Sequence, residues 1–259
     1  MNERLTTRTN FERVLMRLRQ VIRFLSPVCL AVLFSLSCGV SSVGTTGLYT
    51  PANEEGPSQT AYLPPKGKGP AVVVLSGATG PRLYDPFSSA LAKEGYYVVL
   101  LDGNDVARGQ RGETELRTAI RRAQNAPNAI AGKVGIVGFS LGGGTALSRA
   151  VNISETVAVV VAYYPSTSTY VSNPQDLVRR FRVPILMLAG EQDRYHDCCL
   201  IKTARAIEEA AKQRQVDFAL ISYPSADHGF NIAVPAYRAQ DDRDAWTKTV
   251  EMLRRYLGP

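Results

Sequence analysis

The stretch 133-KVGIVGFSLGGG-144 decides the architecture. Lys133–Phe139 is a short run rich in β-branched residues, of the kind buried in a parallel sheet. Leu141–Asn152 reads as a helix, so Ser140 falls at the turn between strand and helix. Gly138-Phe139-Ser140-Leu141-Gly142 is a Gly-x-Ser-x-Gly at that turn. A serine there sits on a sharp bend with strained dihedrals. Glycines two before and two after it remove side chains that would collide. The bend pushes the hydroxyl out of the sheet and sets it at a helix N-terminus, which makes Ser140 a candidate nucleophile. A Gly-rich strand-to-helix turn without chemistry is the alternative reading, so the partners of Ser140 matter.

Outward from this turn the chain alternates strand and helix. Gln59–Leu63 is a short extended piece, Ala71–Leu75 (AVVVL) a buried strand, and Asp85–Glu94 a helix. Tyr97–Leu101 is a strand, 102–112 a polar Gly-containing loop, and Thr114–Asn125 a helix. Val157–Tyr163 and Val183–Leu188 are strands, Leu200–Lys212 a helix, Val216–Ser222 the last strand, and Asp241–Leu257 a closing amphipathic helix. Such alternation predicts an α/β fold, a mainly parallel sheet with helices on both faces. Ligands in these folds bind at the carboxyl ends of the strands.

The chain has two histidines. His228, in SADHGF, follows the last strand and precedes the closing helix, where a general base can meet a serine from an earlier strand end. His196 lies inside a polar loop. Asp193, in GEQD, follows strand VPILMLAG. A carboxylate there can fix the imidazole tautomer and stabilise the imidazolium as Ser140 is deprotonated. Glu191, Asp197 and Asp227 compete for that role, with Asp197 the main rival. A tetrahedral intermediate also needs backbone donors. The N–H of Leu141, next to the nucleophile, is one candidate, and that of Ala78, in the loop after AVVVL, is the other.

These pieces resemble the dienelactone hydrolase family of the α/β-hydrolase superfamily. The similarity runs from about Tyr62 to Leu257 through AYLPP, AVVVLSGATG, ALAKEGYYVVLLD, VGIVGFSLGGGTAL, GEQD and ADHGF. It implies an α/β-hydrolase fold without a large lid domain, acting on small esters or lactones, and a chain order of Ser, Asp, His. Only 164–182 separates strand Val157–Tyr163 from the next strand, which fits the missing lid. Two departures stand out. Ser140 replaces the cysteine of the founding members. Ser76 stands where many relatives carry a histidine before the oxyanion loop. Arg82 is a candidate for seating a substrate carboxylate.

The formal net charge of +7 is uneven. Residues 1–23 hold six arginines against two glutamates, a net +4, which leaves +3 for the rest. No basic face with interleaved aromatics argues for nucleic acid. Phe24–Val40 is uncharged and apolar over about 17 residues, slightly short of a bilayer span. A basic stretch before an apolar core predicts export and a membrane tether. Cys38 suits the lipid-attachment position of a bacterial lipoprotein, with Ser35 as a departure from the usual box. An uncleaved anchor, and an amphipathic basic helix followed by a buried helix, are the competing readings. The expected organisation is therefore 1–45 signal or anchor, 46–58 tether and 59–259 the α/β-hydrolase domain, in a periplasmic or cell-envelope protein.

No His/Cys set has metal-ligand spacing, and no Gly-x-Gly-x-x-Gly follows the first strand, so neither metal nor nucleotide cofactor is expected. Cys198 and Cys199 are adjacent, and ordinary disulfide geometry does not suit neighbours, so both are expected as thiols. The expected function is serine hydrolysis of small carboxylic esters or lactones through an acyl-enzyme. A catalytically silent binding domain, and acyl transfer or peptide cleavage on the same three residues, are the alternatives. The sequence leaves the oligomeric state open.

Overall fold

The computed structural model describes residues 47–53, 56–167 and 172–258. Its centre is an eight-stranded sheet of order β1-β2-β4-β3-β5-β6-β7-β8. The strands are β1 (Leu48–Thr50), β2 (Gln59–Tyr62), β3 (Gly69–Leu75), β4 (Tyr97–Leu101), β5 (Ala129–Phe139), β6 (Val157–Tyr163), β7 (Ile185–Gly190) and β8 (Phe218–Tyr223). From β4 to β8 every neighbouring pair is parallel, while β1 and β2 join antiparallel at one edge. The helices are α1 (Asp85–Lys93), α2 (Gly103–Ala107), α3 (Gly109–Gln124), α4 (Leu141–Arg149), α5 (Pro174–Val178), α6 (Ile201–Gln213) and α7 (Ala239–Leu257).

The alternation of side chains along β3 divides the core in two. Val73 and Leu75 pack with Leu116 and Ile120 of α3, Leu147 of α4 and Ile207 of α6. Val72 and Val74 pack with Leu91 of α1 and with Val250 and Leu253 of α7. Successive strand residues point to opposite faces, so a strand buried on both reads as a continuous apolar run. Fully burying one such Val or Leu stabilises the fold by about 1.5–3 kcal/mol. This is the α/β-hydrolase fold, and the described residues include no large lid domain: α5, five residues long, is the helix between β6 and β7.

Three differences from the sequence expectation stand out. The loop predicted over 102–112 is mostly helical, because the Asp102 carboxylate accepts from Asn104 N–H at 2.9 Å and caps α2. The stretch predicted as a tether, 46–58, contains β1, which pairs Leu48 with Ala61 and Thr50 with Gln59. Leu48 and Tyr49 are exposed, so no buried pattern announced that strand. The strand predicted from Lys133 starts at Ala129. The signal or anchor expected over 1–45, with Cys38, lies outside the described residues. Among the described residues no helix is long and apolar enough to cross a membrane.

Candidate active site

Ser140 links β5 to α4 with φ 50° and ψ −113°, a left-handed value that L side chains rarely adopt. Its backbone is tied on both sides. The Ser140 N–H donates to the Tyr163 carbonyl at 3.0 Å, and the Ser140 carbonyl accepts from Gly144 at 2.9 Å and Ser166 at 2.8 Å. The flanking glycines are required sterically. A Cβ on Gly138 would run into the Gly142 carbonyl, and a Cβ on Gly142 would meet the carbonyl oxygens of Leu75 and Ser76. The bend therefore exists because two backbones approach where only hydrogen fits.

The structure brings the three sequence-predicted residues together. His228 Nε2 lies 3.0 Å from Ser140 Oγ, and His228 Nδ1 lies 2.8 Å from Asp193 Oδ2. Asp193 is fully buried and the His228 side chain is 15% exposed. The second Asp193 oxygen accepts from Tyr195 N–H at 3.0 Å, so the carboxylate is held from two directions. The rival acids are engaged elsewhere. Glu191 accepts from Ser222 and pairs with Arg205. Asp227 accepts from the His228 backbone N–H at 2.7 Å. Asp197 sits exposed in the short 3₁₀ turn Tyr195–Asp197. His196 lies in that same turn.

Leu141 opens α4, whose first N–H groups lack intrahelical partners. Ala78 lies in the loop after β3 and shares the lining of one cavity with Ser140 and His228. That loop is fixed by Ser76. The Ser76 hydroxyl donates to Gly77 and accepts from Gly103 N–H, both at 3.0 Å, and the Ser76 carbonyl accepts from Gly142 N–H at 3.1 Å. The buried serine thus joins the loop to the nucleophile turn. Arg82 is not brought to the site. The 3₁₀ turn Pro81–Tyr84 directs Leu83 and Tyr84 into the cavity and leaves Arg82 exposed. With about three residues per turn, neighbours in such a helix face different ways.

Tyrosines that sequence reading passed over complete the walls. Tyr195 lies parallel to the His228 ring at a centroid separation of 4.4 Å, and Tyr164 meets it edge-on at 4.8 Å. The Tyr164 hydroxyl donates to Asn231 Oδ1 at 2.8 Å. Burial pushes the Tyr164 hydroxyl well above its ordinary pKa and also raises that of Tyr84, so both stay protonated. Their signal was positional: Tyr164 follows β6 directly and Tyr195 stands two residues after Asp193, at strand ends that face the site.

Cys198 and Cys199 are joined in a disulfide, contrary to the expectation of two thiols. The Cys198 carbonyl accepts from the Thr167 N–H at 2.9 Å. The sulfurs and a His228 ring nitrogen lie within 4.8 Å of one another, the one such group of metal-ligand atoms found among the described residues. It does not suit a metal as it stands. The sulfurs are bonded to each other, and both imidazole nitrogens are already engaged.

Residues 100–257 match the model of the dienelactone hydrolase family. A Bradyrhizobium sp protein named "Probable 2-oxo-3-(5-oxofuran-2-ylidene)propanoate lactonase" is 27% identical, over 78% of this chain and 91% of its own. A Saccharolobus solfataricus protein named as a carboxymethylenebutenolidase is 30% identical, over 68% of this chain and 64% of its own. Among solved structures, a Klebsiella pneumoniae protein described as a dienelactone hydrolase superposes with a TM-score of 0.66 at 20% identity. That superposition spans 82% of this chain and 98% of the other.

Proposed function

The chain belongs to the dienelactone hydrolase family and is a carboxylic ester hydrolase, and from that premise we propose that Ser140, His228 and Asp193 carry out its reaction through an acyl-enzyme. The observation behind this reading is the unbroken chain of contacts from Asp193 Oδ2 through the imidazole to Ser140 Oγ.

Asp193 accepts from Nδ1–H, which leaves Nε2 with a free lone pair facing the Ser140 hydroxyl. Ser140 Oγ attacks the ester or lactone carbonyl carbon while Nε2 takes the hydroxyl proton. The carbonyl π pair moves onto oxygen, within reach of the N–H groups of Leu141 and Ala78. Losing one donor of this kind costs about 2.7–4 kcal/mol of barrier. The C–O bond to the alcohol breaks as the oxygen of the leaving group takes the proton from Nε2. Water then adds to the acyl carbon, again giving its proton to Nε2, and Ser140 leaves with that proton as the acid departs. Asp193 stays ionised throughout and stabilises the transient imidazolium.

The test is hydrolysis of an ester and lactone panel by the purified chain, with Ser140→Ala and His228→Ala as controls. The reading expects turnover by wild type and a loss of at least about three orders of magnitude in both variants. Turnover that survives both substitutions contradicts it.

The six arginines before the apolar run Phe24–Val40 support export with retention at the membrane, through Cys38 lipidation or an uncleaved anchor. Mass spectrometry of the mature N-terminus separates these. A lipid on Cys38, or an intact Met1 on protein recovered with the membranes, supports retention, and a free terminus after residue 45 contradicts it.

A further inference from the structure

The cavity at Ser140 is small, about 280 Å³. A second cavity of about 680 Å³ lies beside it, walled by Leu83, Phe87, Ala90, Ile232, Trp246 and Thr247. Leu83 and Ile232 belong to both linings, so the two spaces share one apolar wall. Sites that bury small organic ligands run to about 300–1,000 Å³. The catalytic cavity alone falls just below that range, and the neighbour falls well inside it.

The charge distribution points the same way. Neither lysine nor arginine lines the catalytic cavity among the described residues. The candidate cation Arg82 faces solvent. A substrate carboxylate placed there would lose its hydration without an ionic partner, which is costly. In the second cavity Arg243 and Tyr237 are exposed and mark its open side, where the Tyr237 hydroxyl donates to the Asp242 carboxylate. The inner wall is aromatic and aliphatic, with Phe87 and Trp246 edge to face at 5.2 Å. One buried, unpartnered polar donor interrupts it. Asn231 Nδ2 is buried with no partner among the described residues, and its residue lines the second cavity beside Ile232.

We propose that the second cavity is a chain-binding subsite, and that the substrate is an uncharged ester carrying a medium-length apolar chain. The scissile carbonyl sits at Ser140, and the chain passes Leu83 and Ile232 to lie against Phe87, Ala90 and Trp246. The inference rests on the assignment of Ser140 as nucleophile and adds the class of substrate to it. Each methylene that enters such a space is worth roughly fourfold in binding. The chain can be the acyl or the alcohol part of the ester.

Trp246 is the single tryptophan of the chain, so its fluorescence reports the second cavity without turnover. Two assays are run together. In the first, kcat/KM is measured on p-nitrophenyl esters from acetate to decanoate, and on alkyl acetates from methyl to decyl. In the second, methyl decanoate, decyl acetate and methyl acetate are titrated into the Ser140→Ala variant while Trp246 emission is followed. One of the two ester series is expected to rise by up to about fourfold per methylene. The series that rises identifies which side of the ester carries the chain. The decyl-chain ester of the rising series shifts the Trp246 emission and methyl acetate does not. Ala90→Phe, which fills the cavity, flattens the rising series and abolishes the Trp246 response. Ala233→Phe, at a further residue of the same lining, repeats the test should Ala90→Phe fail to fold. Turnover of acetate with two flat series and a silent Trp246 overturns the subsite while leaving the nucleophile standing. A Trp246 response without turnover of any ester supports the cavity and overturns the nucleophile instead.

Discussion

The ring of Tyr195 lies on the ring of His228, 4.4 Å between centroids and 10° from parallel. The same residue donates its backbone N–H to Asp193, so one tyrosine steadies both the base and its acid. Aromatic pairs of this kind are worth about 0.5–1.5 kcal/mol beyond the area they bury. Tyr195→Ala is therefore expected to lower kcat by about 2–12-fold, with Tyr195→Phe close to wild type because ring and backbone are kept. Steady-state kinetics on one ester check this. Equal losses in both variants would assign the effect to the hydroxyl instead.

Asp193 is separated from its rivals by geometry. Asp193→Asn keeps the shape but favours the wrong imidazole tautomer, and a fall in kcat of about 10⁴-fold is expected. Glu191→Gln, Asp197→Asn and Asp227→Asn are expected to stay within about tenfold of wild type, since none of those carboxylates touches the imidazole. Assays of the four purified variants under one set of conditions decide it. A loss at Asp197 or Asp227 matching that at Asp193 would move the acid.

These residues were legible because the chemistry needs particular side chains at strand ends, in an order the chain displays. Ser140 follows a β-branched run and carries flanking glycines, and Asp193 and His228 follow later strands. The walls of the site were not legible. Tyr164 and Tyr195 act through ring contacts that depend on how loops fold over the sheet edge, and no spacing rule encodes that. The Cys198–Cys199 bond was missed because adjacent cysteines do not suit ordinary disulfide geometry. In the fold, the continuous apolar strands were clear. The edge strand Leu48–Thr50 was hidden because its side chains face solvent, and α2 because a single capping aspartate outweighs a polar, Gly-containing sequence.

The nucleophile turn carries a stability prediction. The Gly142 N–H donates to the Ser76 carbonyl at 3.1 Å, and an added Cβ would collide with that same carbonyl group. Gly142→Ala is expected to cost about 1–3 kcal/mol, a fall in Tm of about 2–12 °C for a domain of this size. Activity falls further than stability, because the displaced loop carries Ala78. Thermal melts and kinetics on the same preparation check both. An unchanged Tm would mean that the two backbones are not in contact.

Tyr96 carries a prediction in the opposite direction. It is 1% exposed, and its hydroxyl is buried with no hydrogen-bond partner among the described residues. Tyr96→Phe is expected to stabilise the protein by ~1 kcal/mol, the low end of the cost of an unpaired buried polar group. Burial also pushes the hydroxyl up to about 12 from its ordinary value of 10.0. With the folded value raised, the contribution of this group is complete below pH 10 and is lost as pH climbs toward 12. The variant should therefore lose stability less steeply than wild type across that window. Urea unfolding at pH 8, 10 and 11 measures both effects, and parallel pH profiles for the two proteins would contradict the second.

The most direct measurement is intact-mass analysis after treatment with a fluorophosphonate, which adds to an activated serine and to little else. Wild type is predicted to gain one adduct, mapped by peptide sequencing to Ser140, with His228→Ala labelled far more slowly and Ser140→Ala unlabelled. An adduct that persists on Ser140→Ala, or a wild-type protein that stays unmodified while folded, would contradict the assignment.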